Sequence, residues 1–178
     1  DLRKDKEDPN ELAFAFIVDF PLFIPQTKED FFHGAGEKFG PSHHMFTSPK
    51  ESDIPLLDSE PLKVKSYQHD VVLNGFEVGG GSIRIHDPKI QEKIFDLIGF
   101  SAEQKVQFQH LLKAFEYGVP PHGGIASGID RLIMVLLGEP SLREVVAFPL
   151  TGDGRDPLTG APSKVDPKQL KDVHLKIT

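Results

Sequence analysis

An α+β fold organised around an antiparallel sheet is what this sequence predicts, and three observations predict it. Asn74-Gly75 lies between two runs of strand-forming residues, Val71 to Asn74 and Glu77 to Ile85, which is a strong short-range hairpin signal. Three helix signals follow in the second half, each with its own cap or breaker residues. Hairpin and helices succeed one another without regular βαβ spacing, which disfavours a doubly wound parallel sheet.

The elements can be justified in order. Residues 1–11 are charged and polar and read as a flexible lead-in. From Leu12 to Phe20, Phe14, Phe16, Val18 and Phe20 share one face, while Ala13, Ala15, Ile17 and Asp19 share the other. Apolar residues on both faces predict a strand buried on both sides. Gln26 to Lys65 is rich in Pro, Ser, His and charge. It is expected to be mostly loop, and a loop that long inside a compact domain is expected to be functional. After the hairpin, Asp87 can cap a helix with Pro88 at its first position and a stripe of Ile90, Ile94, Leu97 and Ile98, closed by Gly99. Ser101 and Gln104 form the capping box of a second helix. Its buried stripe is Phe108, Leu111, Leu112 and Phe115, and Gly118 and Pro120 end it. His122 to Ser127 is a short Gly-rich strand candidate. Ile129 to Leu137 is a third helix, apolar almost all round and so expected to be buried, closed by Gly138 and Pro140. No repeat or low-complexity tract interrupts residues 1–178, which read as one unit.

Composition removes several classes of function. At 178 residues, with 38% hydrophobic and 26% charged residues, the chain matches an ordinary globular domain with a sizeable core. It has no cysteine, which excludes a disulfide scaffold, a cysteine zinc site and a catalytic thiol, and permits a cytoplasmic location. No apolar run reaches the ~18 residues of a membrane span, and no signal peptide is visible. A formal net charge of -7 gives no basic footprint for nucleic acid, so RNA binding by this piece alone is expected to be weak. The first residue is Asp1 rather than Met, which suggests an engineered piece, a fragment, or a tail with its front removed.

Three constellations carry chemistry. The third helix has Asp130 and Arg131 in its first turn. The Asp suits the positive helix end and the Arg opposes it. Either a bound phosphate compensates, held by the guanidinium and the N-terminal N–H groups, or the two side chains form a solvated pair. Gly123, Gly124 and Gly128 just before it would let a flat ligand approach the backbone. Second, a two-residue turn at Asn74-Gly75 sets Val72 opposite Glu77 and makes Asp70 a diagonal neighbour of Glu77, about 7–8 Å away at their bases. Two carboxylates so placed either share a hard cation with phosphate oxygens or form a half-solvated strand face. Gly79-Gly80-Gly81 suits a bulge or a close ligand approach. Glu77 and Arg84 differ by seven positions, so regular alternation puts them on opposite faces. A shared pocket for Asp70, Glu77, Arg84 and Arg131 requires a re-phasing of the strand, expected within Gly79 to Ser82. Third, neighbours His43 and His44 point to opposite sides of an extended segment, which disfavours a zinc pair. An imidazolium facing an acidic substrate and a plain loop histidine pair are the remaining readings.

Together these stretches resemble the aspartyl-tRNA synthetases of bacterial and mitochondrial type. The resemblance is carried by Phe-Ile-Val-Asp-Phe-Pro-Leu-Phe (16–23), His-His-Met-Phe-Thr-Ser-Pro (43–49) and Asp-Val-Val-Leu-Asn-Gly-Phe-Glu-Val-Gly-Gly-Gly-Ser-Ile-Arg-Ile-His-Asp (70–87). It continues in Tyr-Gly-Val-Pro-Pro-His-Gly-Gly-Ile-Ala-Ser-Gly-Ile-Asp-Arg-Leu (117–132) and Arg-Glu-Val-Val-Ala-Phe-Pro (143–149). It implies the C-terminal, motif 3-bearing part of a class II catalytic domain. Arg131, in the Gly128-Ile129-Asp130-Arg131 block, would contact the γ-phosphate end of ATP. Asp70 and Glu77 would hold Mg²⁺ and the ATP phosphates, Arg84 would pair with the side-chain carboxylate of L-aspartate, and His43 and His44 would help close the aspartate pocket. Arg84 and Arg131 are thus the catalytic candidates. Implied for the full-length protein are tRNA as partner, a homodimer and a cytoplasmic location.

Some positions depart from the family pattern. Pro is usual where Met45 stands, a larger apolar residue is common at Ser127, and Lys is common at Leu150. Motif 1, motif 2 with its α-phosphate-gripping Arg, and the anticodon-binding barrel lie upstream in the family, so this chain alone is expected to be inactive. Arg84 argues against a lysine-specific relative, and the Gly-Gly-Gly-Ser-Ile-Arg block against an asparagine-specific one. A synthetase-like paralogue that binds nucleotide or amino acid without charging tRNA is the alternative of a different class.

Overall fold

In the computed structural model, which describes residues 8, 10–26 and 39–176, Asn74 and Gly75 both take positive φ, 50° and 87°. Two left-handed residues give the turn whose twist matches the strands it joins. The turn closes β4 (Gln68–Leu73) onto β5 (Phe76–Ile83). β1 (Phe14–Ile17) pairs antiparallel with the far side of β4, and β6 (Gly123–Ser127) with the far side of β5. The four-stranded sheet runs β1-β4-β5-β6, the antiparallel arrangement expected. A two-stranded ribbon of β2 (Phe23–Pro25) and β3 (Phe39–Pro41) stands beside it.

Helix α1 (Pro88–Leu97) starts where Asp87 accepts from the N–H groups of Lys89 and Ile90, with Pro88 in the first turn. It delivers Ile94, Phe95 and Ile98, all at most 1% exposed, to a core shared with Phe23, Val64 and Ile85. Burying each of these side chains contributes about 1.5–3 kcal/mol. The Ser101–Gln104 capping box forms with both reciprocal bonds. The helix it starts is not continuous. α2 (Ala102–Gln107) ends at Phe108, which leaves helical geometry (φ -102°, ψ 2°), and α3 (Gln109–Glu116) begins there. The break follows from packing. Phe108 rotates into the aromatic cluster, with ring centroids 5.4 Å from Phe95 and 5.8 Å from Phe46.

Three other expectations change. β1 is shorter than Leu12–Phe20 and is exposed along its whole length, because it is an edge strand whose apolar faces the described residues do not cover. The expected long loop is structured where it is described. It contains β3 and 3-10 turns at Glu51–Leu57 and Pro61–Lys63, and isolated bridges pair Thr47 with Arg84 and Pro49 with Ser66. Residues 27–38 of that stretch, like 1–7 and 9 of the lead-in, lie outside the described residues. Helix α4 (Ile129–Leu137), closed by Gly138 at φ 68°, buries Met134 but leaves Ile129, Ile133, Leu136 and Leu137 exposed. Only one of its faces packs on β5. The last helix, α5 (Pro167–Asp172), is capped by Asp166 and buries no residue.

The glycine run has a packing reason. A Cβ on Gly81 would stand 2.0 Å from the Gly124 carbonyl oxygen and 2.8 Å from the Ile125 Cα, both backbone atoms that cannot rotate away. We expect Gly81→Ala to split β6 from β5 and to destabilise the chain by about 1–3 kcal/mol or more, read as a lower midpoint in urea unfolding. An unchanged midpoint would refute this account of the glycine.

Candidate active site

β5 does not alternate regularly. Val71 pairs with Gly79 and Val72 with Glu77, so Val78 is an extra residue on the β5 side. The required re-phasing is present, one residue before the expected Gly79–Ser82 segment. Val78 suits the bulge because its side chain sinks into the interior at 6% exposure, and its carbonyl accepts from the Gly128 N–H at 2.8 Å. Gly79 and Gly81 serve the close approach of β6 instead.

Beyond the bulge, Gly80 comes to lie opposite Asp70. The missing Cβ of Gly80 would sit 3.0 Å from Asp70 Oδ1 and 3.2 Å from Glu77 Oε1. Two carboxylates therefore flank one bare backbone position, and strand alternation carries Ser82 and Arg84 onto that same face. This donor set suits a hard, oxygen-preferring cation that completes its shell with phosphate oxygens and water. Among the described residues no group of three or more His, Asp or Glu side chains comes together, so the pair alone would need ligand oxygens to hold a metal.

Arg131 extends from the first turn of α4 to the same carboxylate. Its Nη1 donates to the Glu77 carbonyl at 3.0 Å and lies 3.7 Å from Glu77 Oε2. Its ion partner is thus Glu77, not its neighbour Asp130. Both side chains are about half exposed, and such a pair contributes only about 0–1 kcal/mol, little enough for a polyanionic ligand to displace. Glu77, Gly128, Asp130 and Arg131 line one cleft of about 240 Å³.

Arg84 lies elsewhere on the sheet. It lines a second cavity, of about 420 Å³, with Phe46, Leu111, Phe115 and His122. Of the four residues expected in a single cleft, Glu77 and Arg131 line one cavity and Arg84 a second along the same strand. The bulge brings the side chains to one face, but Arg84 is seven positions along from Glu77 and is held by different neighbours.

Those neighbours determine a tautomer. Arg84 Nη1 lies 2.9 Å from His44 Nδ1, and the Phe46 N–H donates to the same nitrogen at 3.2 Å. Neither a guanidinium nor a backbone N–H can accept a hydrogen bond. Nδ1 must carry the lone pair, and the proton sits on Nε2. Burial, then the positive charge of Arg84, pushes the His44 pKa down to about 4. Of the two readings of the histidine pair, an imidazolium facing an acidic substrate is thus not formed by His44, which is a neutral acceptor. Its Nε2–H is buried and has no partner among the described residues. His43 is exposed and its ring lies 4.5 Å from that of His44. Thr47 Oγ1 is 3.3 Å from His44 Nδ1, Ser82 Oγ is 3.5 Å from Thr47 Oγ1, and Gln91 Nε2 donates to the Met45 carbonyl at 2.9 Å. Thr47 and Ser82 lie within the 43–49 and 70–87 blocks but, like Gln91, carry no role that the sequence assigns. Their burial, at most 2% exposed, is visible only in the fold.

The His44 shift has a pH signature. Between pH about 6.5 and about 4 the unfolded chain binds a proton at His44 that the folded chain refuses. The stabilisation from neutral His44 is complete above pH about 6.5 and is lost as the pH falls towards about 4. We expect histidine ring NMR to show His44 neutral and protonated on Nε2 at pH 5.5. A ring already charged at that pH would refute the tautomer.

The comparisons with known proteins agree with one another. The family described as tRNA synthetases class II (D, K and N) matches residues 1–152. The Aspartate--tRNA(Asp/Asn) ligase of Dehalococcoides mccartyi strain CBDB1 is 54% identical over 171 residues, 96% of this chain and 27% of that protein. The Dictyoglomus turgidum protein of the same name is 55% identical over 172 residues, 96% of this chain and 28% of that one. The chain thus spans about a quarter of the length of these relatives. Among solved structures, the aspartyl tRNA synthetase from Entamoeba histolytica superposes with a TM-score of 0.54 at 26% identity, over 82% of this chain and 23% of that one. With a family match over most of its length and relatives above 50% identity over 96% of it, the chain belongs to the class II tRNA synthetases of the D, K and N group.

Proposed function

We propose that this segment supplies the motif 3 part of an aspartate–tRNA ligase: the carboxylate receptor for aspartate and part of the site for ATP and Mg²⁺. The observation that carries the reading is the bulge at Val78, which turns Asp70, Glu77 and Arg84 to one side of the sheet. Arg84 is the receptor for the aspartate side chain. A guanidinium fixes a carboxylate by charge and by paired donors, and neutral His44 beside it orients that guanidinium through Nδ1. Exposed His43 contributes to the closure of that pocket. Arg131 and the first turn of α4, from Gly128 through Ile129 and Asp130, receive the γ-phosphate end of ATP, where an exposed ion pair with Glu77 is readily exchanged for phosphate. Asp70 and Glu77 would hold Mg²⁺, which supplies charge neutralisation for the phosphates when bound.

The reaction joins the α-carboxylate of L-aspartate to the α-phosphorus of ATP with loss of pyrophosphate, and then passes the aspartyl group to the 3′-terminal ribose of tRNA. No side chain of this segment acts as a nucleophile. Its contribution is position and charge. The relatives' names specify tRNA(Asp/Asn), which supports both acceptors here. The complete enzyme on this reading is a cytoplasmic homodimer.

Two measurements test the reading. Arg84→Leu in the complete enzyme should raise the KM for aspartate far more than that for ATP, at a cost of about 3 kcal/mol or more, because a substrate carboxylate is left unpaired. An unchanged aspartate KM would remove the pocket assignment. The 178-residue chain alone should not catalyse aspartate-dependent ATP–pyrophosphate exchange, since groups that act as a unit fail together when some are missing. Robust exchange by the isolated chain would show that it holds the whole site.

A further inference from the structure

We propose that Gln91 and Thr47 are positioning residues for the acid-binding site, holding the His44–Thr47 turn so that His44 Nδ1 stays against Arg84. The proposal rests on the reading of Arg84 as the receptor for the aspartate carboxylate and deepens it. Gln91 projects from α1 into the hydrophobic core with 0% exposure. A buried amide is costly unless it is hydrogen-bonded, and of its two polar atoms Oε1 has no partner among the described residues. Its Nε2 donates to the carbonyl of Met45, the second residue of the turn. The turn itself is closed by the Thr47 N–H on the His44 carbonyl at 3.1 Å, and it is tied to the end of β5 by the Ile85 N–H on the Phe46 carbonyl at 2.9 Å.

Thr47 completes the clamp from the other side. It is the bridge partner of Arg84, it is 2% exposed, and its hydroxyl lies between His44 Nδ1 and Ser82 Oγ. The imidazole is held at Nδ1 by the Phe46 N–H, the Thr47 hydroxyl lies 3.3 Å from the same nitrogen, and Gln91 acts on it only through the backbone of the turn. Arg84 Nη1 is left with a stationary, uncharged acceptor. An uncharged acceptor orients the guanidinium without neutralising it, so its full charge remains for a ligand. Were the turn loosened, Arg84 would keep its charge but lose its direction, and a misplacement of about 1 Å at a remote support can cost up to about 100-fold.

The test uses the complete synthetase carrying Thr47→Val, Thr47→Ser, Gln91→Met or Arg84→Leu, with KM for aspartate, KM for ATP, kcat and thermal unfolding measured for each. Thr47→Val and Gln91→Met are expected to raise the aspartate KM by about 10- to 100-fold with ATP KM and kcat unchanged. Thr47→Ser, which keeps the hydroxyl, is expected to restore near-native values. Loss of all parameters in parallel with thermal stability, or equal behaviour of Thr47→Val and Thr47→Ser, would show a merely structural role and overturn the proposal. If Gln91→Met fails to fold, the Thr47 pair still decides. Unchanged aspartate KM in Thr47→Val and Gln91→Met, with a large rise in Arg84→Leu, would overturn the positioning role alone. An unchanged KM in Arg84→Leu as well would overturn the carboxylate reading and the proposal with it.

Discussion

Val78 is one residue more than β4 can pair, and the site face of the sheet follows from where that extra residue is absorbed. In a regular strand Glu77 and Arg84 would point to opposite faces. The bulge moves Gly80, Ser82 and Arg84 onto the face of Asp70 and Glu77. It persists because its parts are satisfied locally. The Val78 side chain is buried and its carbonyl bonds to Gly128, the residue that starts α4. The same contact therefore re-phases the strand and sets the helix end from which Arg131 reaches Glu77.

The two arginines are held by different physics. Arg131 and Glu77 are both about half exposed, and water screens their attraction, so the pair costs little to open. Arg84 is more enclosed, and burial lowers its affinity for its proton, although a guanidinium remains charged throughout the ordinary pH range. A carboxylate partner in the fold would compete with any acidic ligand for that charge. A neutral imidazole does not, which gives a physical reason for a histidine, kept uncharged by burial and by Arg84 itself, at position 44.

Much of this was legible because it is local. The Asn74-Gly75 turn, the Asp87 cap, the Ser101–Gln104 box and Gly138 all depend on a few neighbouring residues, and each forms as its sequence specifies. The pairing of Val72 with Glu77 followed from the turn length alone. What failed was burial. The alternation of β1 and the apolar surface of α4 show which residues are hydrophobic, but not which face the remaining elements cover. Phe16 is 69% exposed and Leu137 66%.

The sequence by itself determined the family, the hairpin and helix signals, and the charged residues around which a site could form, and short-range sterics and a specific residue pattern suffice for each. The re-phased strand was expected only because the family resemblance puts Glu77 and Arg84 in one pocket. Only the tertiary structure decided that the extra residue is Val78, that Arg84 and Arg131 line separate cavities, and that His44 is a neutral acceptor. The bulge depends on a bond to Gly128 and the tautomer on a guanidinium 40 positions along the chain. Contacts at such separation exist only once the chain has folded, and so do the burial and charge that set the pKa of an imidazole.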